Sequence, residues 1–179
     1  EWTTSTDLVM TVVKMLRDKG VVGKFVEFYG EGVKNLTLAD RATIAKMAPE
    51  YGATCGLFPI DQETLKYLKF SGRDEQTWKI VEEDSKMQGL WSSDDIEFTD
   101  ILSLDMSTVV LTIYGPKRPE DKVLLTDAAS AFQKVFEKVN NRKVPNVSKV
   151  SGSDYEIKDG SILISAITYC TYTYNTKVF

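Results

Sequence analysis

Residues 21–32 read VVGKFVEFYGEG, a β-branched and aromatic run that ends in two glycines. The part from Val21 to Phe28 is typical of a short strand. Gly30 and Gly32 permit a tight turn directly after it. This strand decides the fold, because helical patterns stand on both sides of it.

The flanking helices are predicted from spacing and capping residues. Residues 8–16 repeat apolar side chains every three or four positions, with Ser5 or Thr6 as the predicted N-cap and Gly20 just past the end. After the strand, the sequence TLAD at 37–40 resembles a capping box with Asp in place of Glu. The central strand therefore lies between two helices.

A second strand and two further helices continue the alternation. Residues 53–58 are a short apolar run before Pro59, and helices are predicted over 61–70 and about 74–88. Alternating helices and strands are typical of parallel strands covered by helices. We therefore predict an α/β fold with a mainly parallel sheet and helices on both of its faces.

The following stretch has a different character. Residues 94–105 alternate apolar and polar side chains, which predicts one or two strands. A helix is then predicted from Thr126 or Asp127, with Phe132 and Phe136 on its inner face.

The C-terminal part is predicted to be an α+β extension. Residues 147–150 and 154–158 flank a Ser-Gly-Ser turn, which indicates a hairpin, and a closing strand is expected from Ser161. A boundary in the loop near residue 140 divides the chain into an α/β domain at 1–140 and a linker hairpin with a terminal strand at 141–179.

Composition excludes several functions. The net charge of -4 gives no basic surface for nucleic acid. No apolar run reaches the roughly 18–20 residues that a membrane-spanning helix needs. The absence of histidine excludes a Ser-His-Asp triad and any His-ligated metal. Two cysteines far apart in sequence favour a reducing cytoplasm, and the first residue, Glu1, suggests an excised piece.

The last twenty residues carry the most unusual chemistry. Residues 160–179 read GSILISAITYCTYTYNTKVF, an apolar run followed by one thiol, Cys170, among three tyrosines. In a continuing strand Cys170, Tyr172 and Tyr174 share one face, and Tyr169 points to the other.

Several segments together resemble the aconitase and iron-regulatory-protein family, bacterial type. They read VVGKFVEFYGEG, LADRATIAKMAPEYGATCGLFP, SGR, KMQGLW and GPKRPEDKV, in the family's order. The resemblance implies the second domain of that family plus the linker and first strand of the third. It further implies that Cys170 is a 4Fe–4S cluster ligand, and that Glu27 contacts the iron-bound hydroxyl or water in a hydro-lyase that isomerises citrate.

Two regions depart from the family pattern. Tyrosines stand at 169, 172 and 174 and Thr176 replaces a proline, while Leu111 and Tyr114 precede GPKRP where proline and serine are usual. We interpret these changes as an engineered, non-catalytic domain with a tyrosine-rich binding site, since tyrosine dominates many recognition surfaces. The predicted binding residues are Leu111, Tyr114, Tyr169, Tyr172, Tyr174 and Phe179.

The occupant of that site is left open between a protein partner, a small ligand and a metal. The alternatives are a natural fragment of a 4Fe–4S aconitate hydratase and a structural domain without a ligand. No cofactor is expected in this chain by itself, because a cubane cluster takes three or four thiolates and the chain has only Cys55 and Cys170.

Overall fold

The computed structural model describes residues 3–93, 96–115, 117–118, 121–140 and 145–164. The helices are α1 (Ser5–Lys19), α2 (Glu31–Lys34), α3 (Leu38–Lys46), α4 (Ala48–Tyr51), α5 (Gln62–Phe70), α6 (Glu75–Met87) and α7 (Ala128–Asn140). The strands are β1 (Phe25–Glu27), β2 (Cys55–Leu57), β3 (Thr112–Tyr114), β4 (Lys122–Leu124), β5 (Val147–Lys149) and β6 (Glu156–Lys158). Short 3₁₀ turns occupy Met106–Thr108 and Leu125–Asp127.

The mixed α/β class predicted from the sequence is confirmed. Strands β1 and β2 pair in parallel, with Phe25 opposite Cys55 and Glu27 opposite Leu57. The chain between them forms α2, α3 and α4, because a parallel connection needs a crossover. The pairs β3–β4 and β5–β6 are antiparallel, and the second is the predicted hairpin around Gly152.

Helix α1 packs its apolar face on α3 and α4 and forms the main core. Its N-cap is Thr4 rather than the predicted Ser5 or Thr6, because Thr4 and Asp7 form a reciprocal capping box. Gly20 ends the helix in the left-handed conformation, as predicted. The buried members of this core are Val9, Val12, Val13, Leu16, Val21, Ile44, Ala48 and Tyr51.

The strands predicted over 94–105 are wrong for the described part of that segment, which contains no strand over residues 96–105. Phe98 stacks on Tyr29 with ring centroids 4.7 Å apart, and Leu104 packs against the core around α1. The alternating pattern therefore reflects an extended segment lying on the core. An extended segment that packs one side on the core needs an apolar side chain at every second residue, as a strand in a sheet does.

The end of the described chain also differs from expectation. Residues 161–164 form no strand, and Ile164 is 98% exposed among the described residues. Residues 165–179, which contain the rest of the predicted closing strand, lie outside the described part, as do residues 141–144 at the predicted domain boundary.

Helix α7 buries one of its two predicted core phenylalanines. Phe136 is 4% exposed, whereas Phe132 is 46% exposed and lies at the edge of the packed face. The Phe132 ring stacks on Phe136 and lies close to Gly160, where an added Cβ atom would be 3.3 Å from Cε1 of Phe132. Phe132 therefore covers the end of the hairpin, and Phe136 is the core residue.

We expect Phe136→Ala to lower the free energy of unfolding by about 3–5 kcal/mol, because it deletes a buried aromatic side chain and leaves a cavity. Phe132→Ala is the matched control on the same helix and should cost well under half as much. Urea unfolding of both variants measures the difference. Equal losses would contradict the burial of Phe136 alone.

A second packing constraint lies beneath strand β2. Tyr51 is 1% exposed, and its hydroxyl has no hydrogen-bond partner among the described residues. Burial, with the nearby Cys55 and Glu50, raises the pKa of Tyr51 to about 12. A Cβ atom on Gly56 would overlap this hydroxyl and would lie 3.1 Å from Cα of Ala45.

Gly56→Ala should therefore destabilise the fold by about 1–3 kcal/mol through overpacking. Tyr51→Phe removes an unpaired buried hydroxyl and should leave stability unchanged or raise it. When Tyr51→Phe is combined with Gly56→Ala, it should recover part of the stability that Gly56→Ala loses. The recovery is only partial because the close contact with Ala45 remains. Melting temperatures of the two single variants and the double variant test this, and a strictly additive double variant would refute the clash.

Candidate functional site

A cleft of about 810 Å³ opens at the carboxyl end of β1. One wall is formed by the inner face of α1. A second is formed by β1 and the post-β1 turn, which we define as residues 30–36, and a third by the cover segment, residues 97–106. In α/β folds ligands bind at the carboxyl ends of parallel strands, so the location of the cleft is that of a binding site.

Glu27 is the last residue of β1 and lines this cleft. The parallel pairing fixes its backbone, because the next amide, that of Phe28, donates to the carbonyl of Leu57 at 2.9 Å. No other described residue forms a hydrogen bond or an ion pair with the Glu27 carboxylate. The fold thus holds a carboxylate on a rigid element and leaves its oxygens available to a ligand.

Two stacked aromatic pairs line the same cleft as this carboxylate. Phe28 stacks on Phe58 with centroids 4.6 Å apart, which joins the residues that follow β1 and β2. Tyr29 stacks on Phe98, which joins the end of β1 to the cover segment. Aromatic side chains therefore form part of the lining that Glu27 shares.

An ion pair fastens the cover segment to the end of α1. The ammonium of Lys19 lies 2.7 Å from Oδ2 of Asp100. The hydrogen bond from Lys19 lowers the pKa of Asp100 below the ordinary value of 3.8. The hydrogen bond from the amide of Ile101 and the positive charges of Lys19 and Lys24 act in the same direction. Because both side chains are substantially exposed, the ion pair contributes little to the free energy of unfolding and holds the cover segment to α1 only weakly.

The post-β1 turn is shaped by its glycines. Gly30 has φ 100°, which a residue with a Cβ atom rarely adopts. A Cβ atom on Gly32 would lie 2.6 Å from Sδ of Met106, so the turn approaches the cover segment closely. Both glycines were assigned to a tight turn from the sequence, and the second has this further packing role.

The described binding residues predicted from the sequence lie away from this cleft. Leu111 and Tyr114 do not line it. Tyr114 belongs to β3, and its hydroxyl is 3.0 Å from the hydroxyl of Thr112. Residues Tyr169, Cys170, Tyr172, Tyr174 and Phe179 lie outside the described part of the chain, so their convergence with Tyr114 stays a prediction.

Asp7 anchors β3 to the start of α1. Its Oδ1 accepts a hydrogen bond from the amide of Thr112 at 2.9 Å, while its Oδ2 accepts from the amide of Thr4 at 2.8 Å. The sequence predicted only a helix start here. Nothing in the sequence pairs Asp7 with a residue 105 positions later, so this contact appears only in the fold.

The described residues do not fit an iron–sulfur cluster. They contain one cysteine, Cys55, whose Sγ lies 3.8 Å from the carbonyl oxygen of Gly56, and no group of three or more acidic or sulfur ligands. A cubane cluster takes three or four thiolates. Cys55 is a partly buried strand residue, as its position in the sequence indicated.

Comparison with known proteins identifies the family. The aconitase family (aconitate hydratase) matches residues 1–179, and the chain belongs to this family. Aconitate hydratase A of Rickettsia bellii is 54% identical over 179 residues, covering 98% of this chain and 20% of that protein. Aconitate hydratase A of Legionella pneumophila is 52% identical, and the match covers 99% of this chain and 20% of that protein. Aconitate hydratase A of Rickettsia felis is 51% identical, and the match covers 98% of this chain and 20% of that protein. The chain thus spans about one fifth of the length of these relatives.

This match overturns the interpretation of the chain as an engineered domain with a designed tyrosine-rich site. Half of the residues are identical to aconitate hydratase A across 98% or more of the chain, and the family match extends to residue 179. Tyrosine and threonine favour strands, so their density in the tail needs no recognition role. The findings support the alternative, a natural aconitase-family sequence.

Across the residues that the structure describes, every helix is too short or too polar to cross a bilayer.

Protonation of Asp7 should make stability depend on pH. Burial acts to raise the pKa of Asp7, but hydrogen bonds from Thr4 and Thr112 outweigh it and hold the pKa below 3.8. A lowered folded pKa means that the stabilisation is present above pH 3.8 and is lost as the pH falls through the folded value. Asp7→Asn should therefore cost about 1–3 kcal/mol at pH 7.

The control is Asp18→Asn, an exposed carboxylate on the same helix that pairs with Lys14. Its cost should be about 0–1 kcal/mol. Urea unfolding from pH 7 to pH 2 should show the Asp7→Asn difference shrinking with acidity. A difference that is constant with pH would contradict the assignment.

Proposed function

We propose that this chain is a segment of an aconitate hydratase of type A, and that Glu27 acts in the active site of the whole protein. The reaction that the family implies is the isomerisation of citrate to isocitrate by loss and return of water. The observation that carries the proposal is the carboxylate of Glu27, which lines a cleft at the carboxyl end of β1 and has no hydrogen-bond or ion-pair partner among the described residues.

The chemistry of dehydration suits a carboxyl group at this position. Loss of water breaks a C–H bond on one carbon and a C–O bond on its neighbour. A base takes the proton, and the departing hydroxyl leaves more readily when a nearby acid protonates it. The family resemblance implies that Glu27 contacts that hydroxyl or water, so its role is the general acid for loss of water and the general base for its return.

The charges of the cleft support a site that other segments complete. Its ionisable lining residues comprise four acids, Glu27, Glu31, Glu97 and Asp100, and two bases, Lys19 and Lys24. A tricarboxylate substrate needs cationic partners in excess. This cleft supplies the carboxylate, and the proposal therefore requires the binding cations to come from the remaining four fifths of a whole enzyme.

Cys170 is the residue that we propose as a ligand of the family's 4Fe–4S cluster in the whole protein. The proposal rests on the family resemblance of the sequence around Cys170, which lies outside the described part of the chain. A cytoplasmic location belongs to the same proposal, and both cysteines are expected to be reduced there.

In the whole enzyme that carries this segment, Glu27→Gln should lower kcat for citrate by about 10²–10⁴-fold, because the amide cannot exchange the proton. Glu83→Gln is the matched control, an exposed glutamate on α6 that pairs with Lys86, and its kcat should be unchanged. The rate of aconitate formation from citrate measures both. A Glu27→Gln enzyme with full kcat would sink the proposed role.

The isolated chain should show no turnover of citrate or aconitate after anaerobic treatment with iron and sulfide. It has two cysteines, fewer than the three or four thiolates of a cubane cluster. The measurement is aconitate formation together with the brown charge-transfer absorption of a cluster. Appearance of both would show that the chain forms a complete site by itself.

A further inference from the structure

Arg41 is a buried cation in the first half of α3. Its side chain is 2% exposed, and it lies one position after Asp40, the capping-box residue of that helix. Arginines are almost never fully buried unless they are paired. The family resemblance implies no role for Arg41, whose contacts indicate one.

The three guanidinium nitrogens contact two different segments. Nε donates to the carbonyl of Leu36 at 3.2 Å, and Nη2 donates to the carbonyl of Val33 at 3.1 Å. Nη1 lies 2.8 Å from Oδ2 of Asp61, a contact that is ionic rather than a well-directed hydrogen bond. One planar side chain therefore joins two backbone carbonyls and a carboxylate.

These partners follow the two parallel strands. Val33 and Leu36 belong to the post-β1 turn, which begins three residues after Glu27 and forms a wall of its cleft. Asp61 follows β2 and caps α5, with its Oδ1 accepting from the amides of Glu63 and Thr64. Arg41 thus ties together the chain segments that leave the carboxyl ends of β1 and β2.

The geometry calls for arginine in particular. A guanidinium presents its N–H donors in a rigid planar fork, whereas a lysine ammonium is a compact charge on a flexible stem. Lysine could keep the charge facing Asp61 but could not hold both carbonyls at the same time. The post-β1 turn, which forms a wall of the cleft, would then lose contacts that tie it to α3.

We propose that Arg41 is a positioning residue for the active site: by holding the post-β1 turn and the cap of α5 together, it sets the shape of the cleft around Glu27. This inference rests on the function proposed above for Glu27. Arg41 would not contact the substrate. It would affect turnover only by holding the wall of the cleft in place.

The test is a double-mutant cycle in the whole enzyme, with Arg41→Lys made in the Glu27 and in the Glu27→Gln backgrounds. Misplacement of about 1 Å costs up to about a hundredfold in rate, so Arg41→Lys should lower kcat about ten- to hundredfold in the Glu27 enzyme, with a smaller change in KM. In the Glu27→Gln enzyme it should lower kcat less than about threefold, since the group that it positions is already disabled.

Arg17→Lys is the matched control. Arg17 also donates to a backbone carbonyl, that of Glu50 at 3.1 Å, but this hydrogen bond is exposed and neither residue lines the cleft. Its kcat should be that of the unmodified enzyme. Hydrogen exchange provides a readout besides activity: Arg41→Lys should speed exchange in peptides covering residues 30–36 and 61–65, and leave the hairpin at 147–158 unchanged.

The outcomes separate the two proposals. If Glu27→Gln has no effect by itself, the proposed function fails. If Glu27→Gln lowers kcat but the Arg41→Lys loss is equal in both backgrounds, Arg41 is only structural and this inference is overturned. Should Arg41→Lys not fold, Asp61→Asn replaces it in the same cycle, because asparagine still caps α5 and only the charge facing Arg41 is lost. If Asp61→Asn lowers kcat by the same factor in the Glu27 and the Glu27→Gln enzymes, the inference is likewise overturned.

Discussion

The parallel pairing of β1 with β2 is the constraint on which the rest of the fold depends. Each strand has three residues, and a pair this short is not stable without cover. The crossover through α3 and α4 supplies that cover on one side, with α1 packed on both helices. The buried guanidinium of Arg41 then ties the segments beyond the two strands, so the pair is held at its carboxyl end as well.

This arrangement explains why the candidate site lies where it does. The pairing fixes the backbone of Glu27, and the turn that follows is shaped by Gly30 and by the contact between Gly32 and Met106. The resulting cleft has apolar walls and an excess of acidic groups. Such a cleft suits one catalytic carboxylate within a larger site and is a poor binding site for a tricarboxylate by itself.

The tyrosine-rich tail illustrates how a local pattern can mislead. Four tyrosines in two altered regions suggested a constructed recognition surface, yet the family match covers both regions. Tyr114 provides a simpler explanation, since it lies in a strand and its hydroxyl meets that of Thr112 beside the Asp7 anchor. Strand propensity accounts for Tyr114, and an enrichment in tyrosine does not by itself establish a binding role.

The sequence by itself determined the α/β class, the capping box of Thr37 and Asp40, the turn after β1, the hairpin around Gly152 and the family. These features depend on residues near one another in the chain, or on several landmarks in a fixed order. Tertiary structure alone decided that residues 96–105 lie over the core without forming a strand, that Phe136 is buried while Phe132 is not, and that Arg41 meets Asp61. The physical reason is that burial and ion pairing are properties of neighbours in space, and apolar periodicity does not say which neighbours a segment will have.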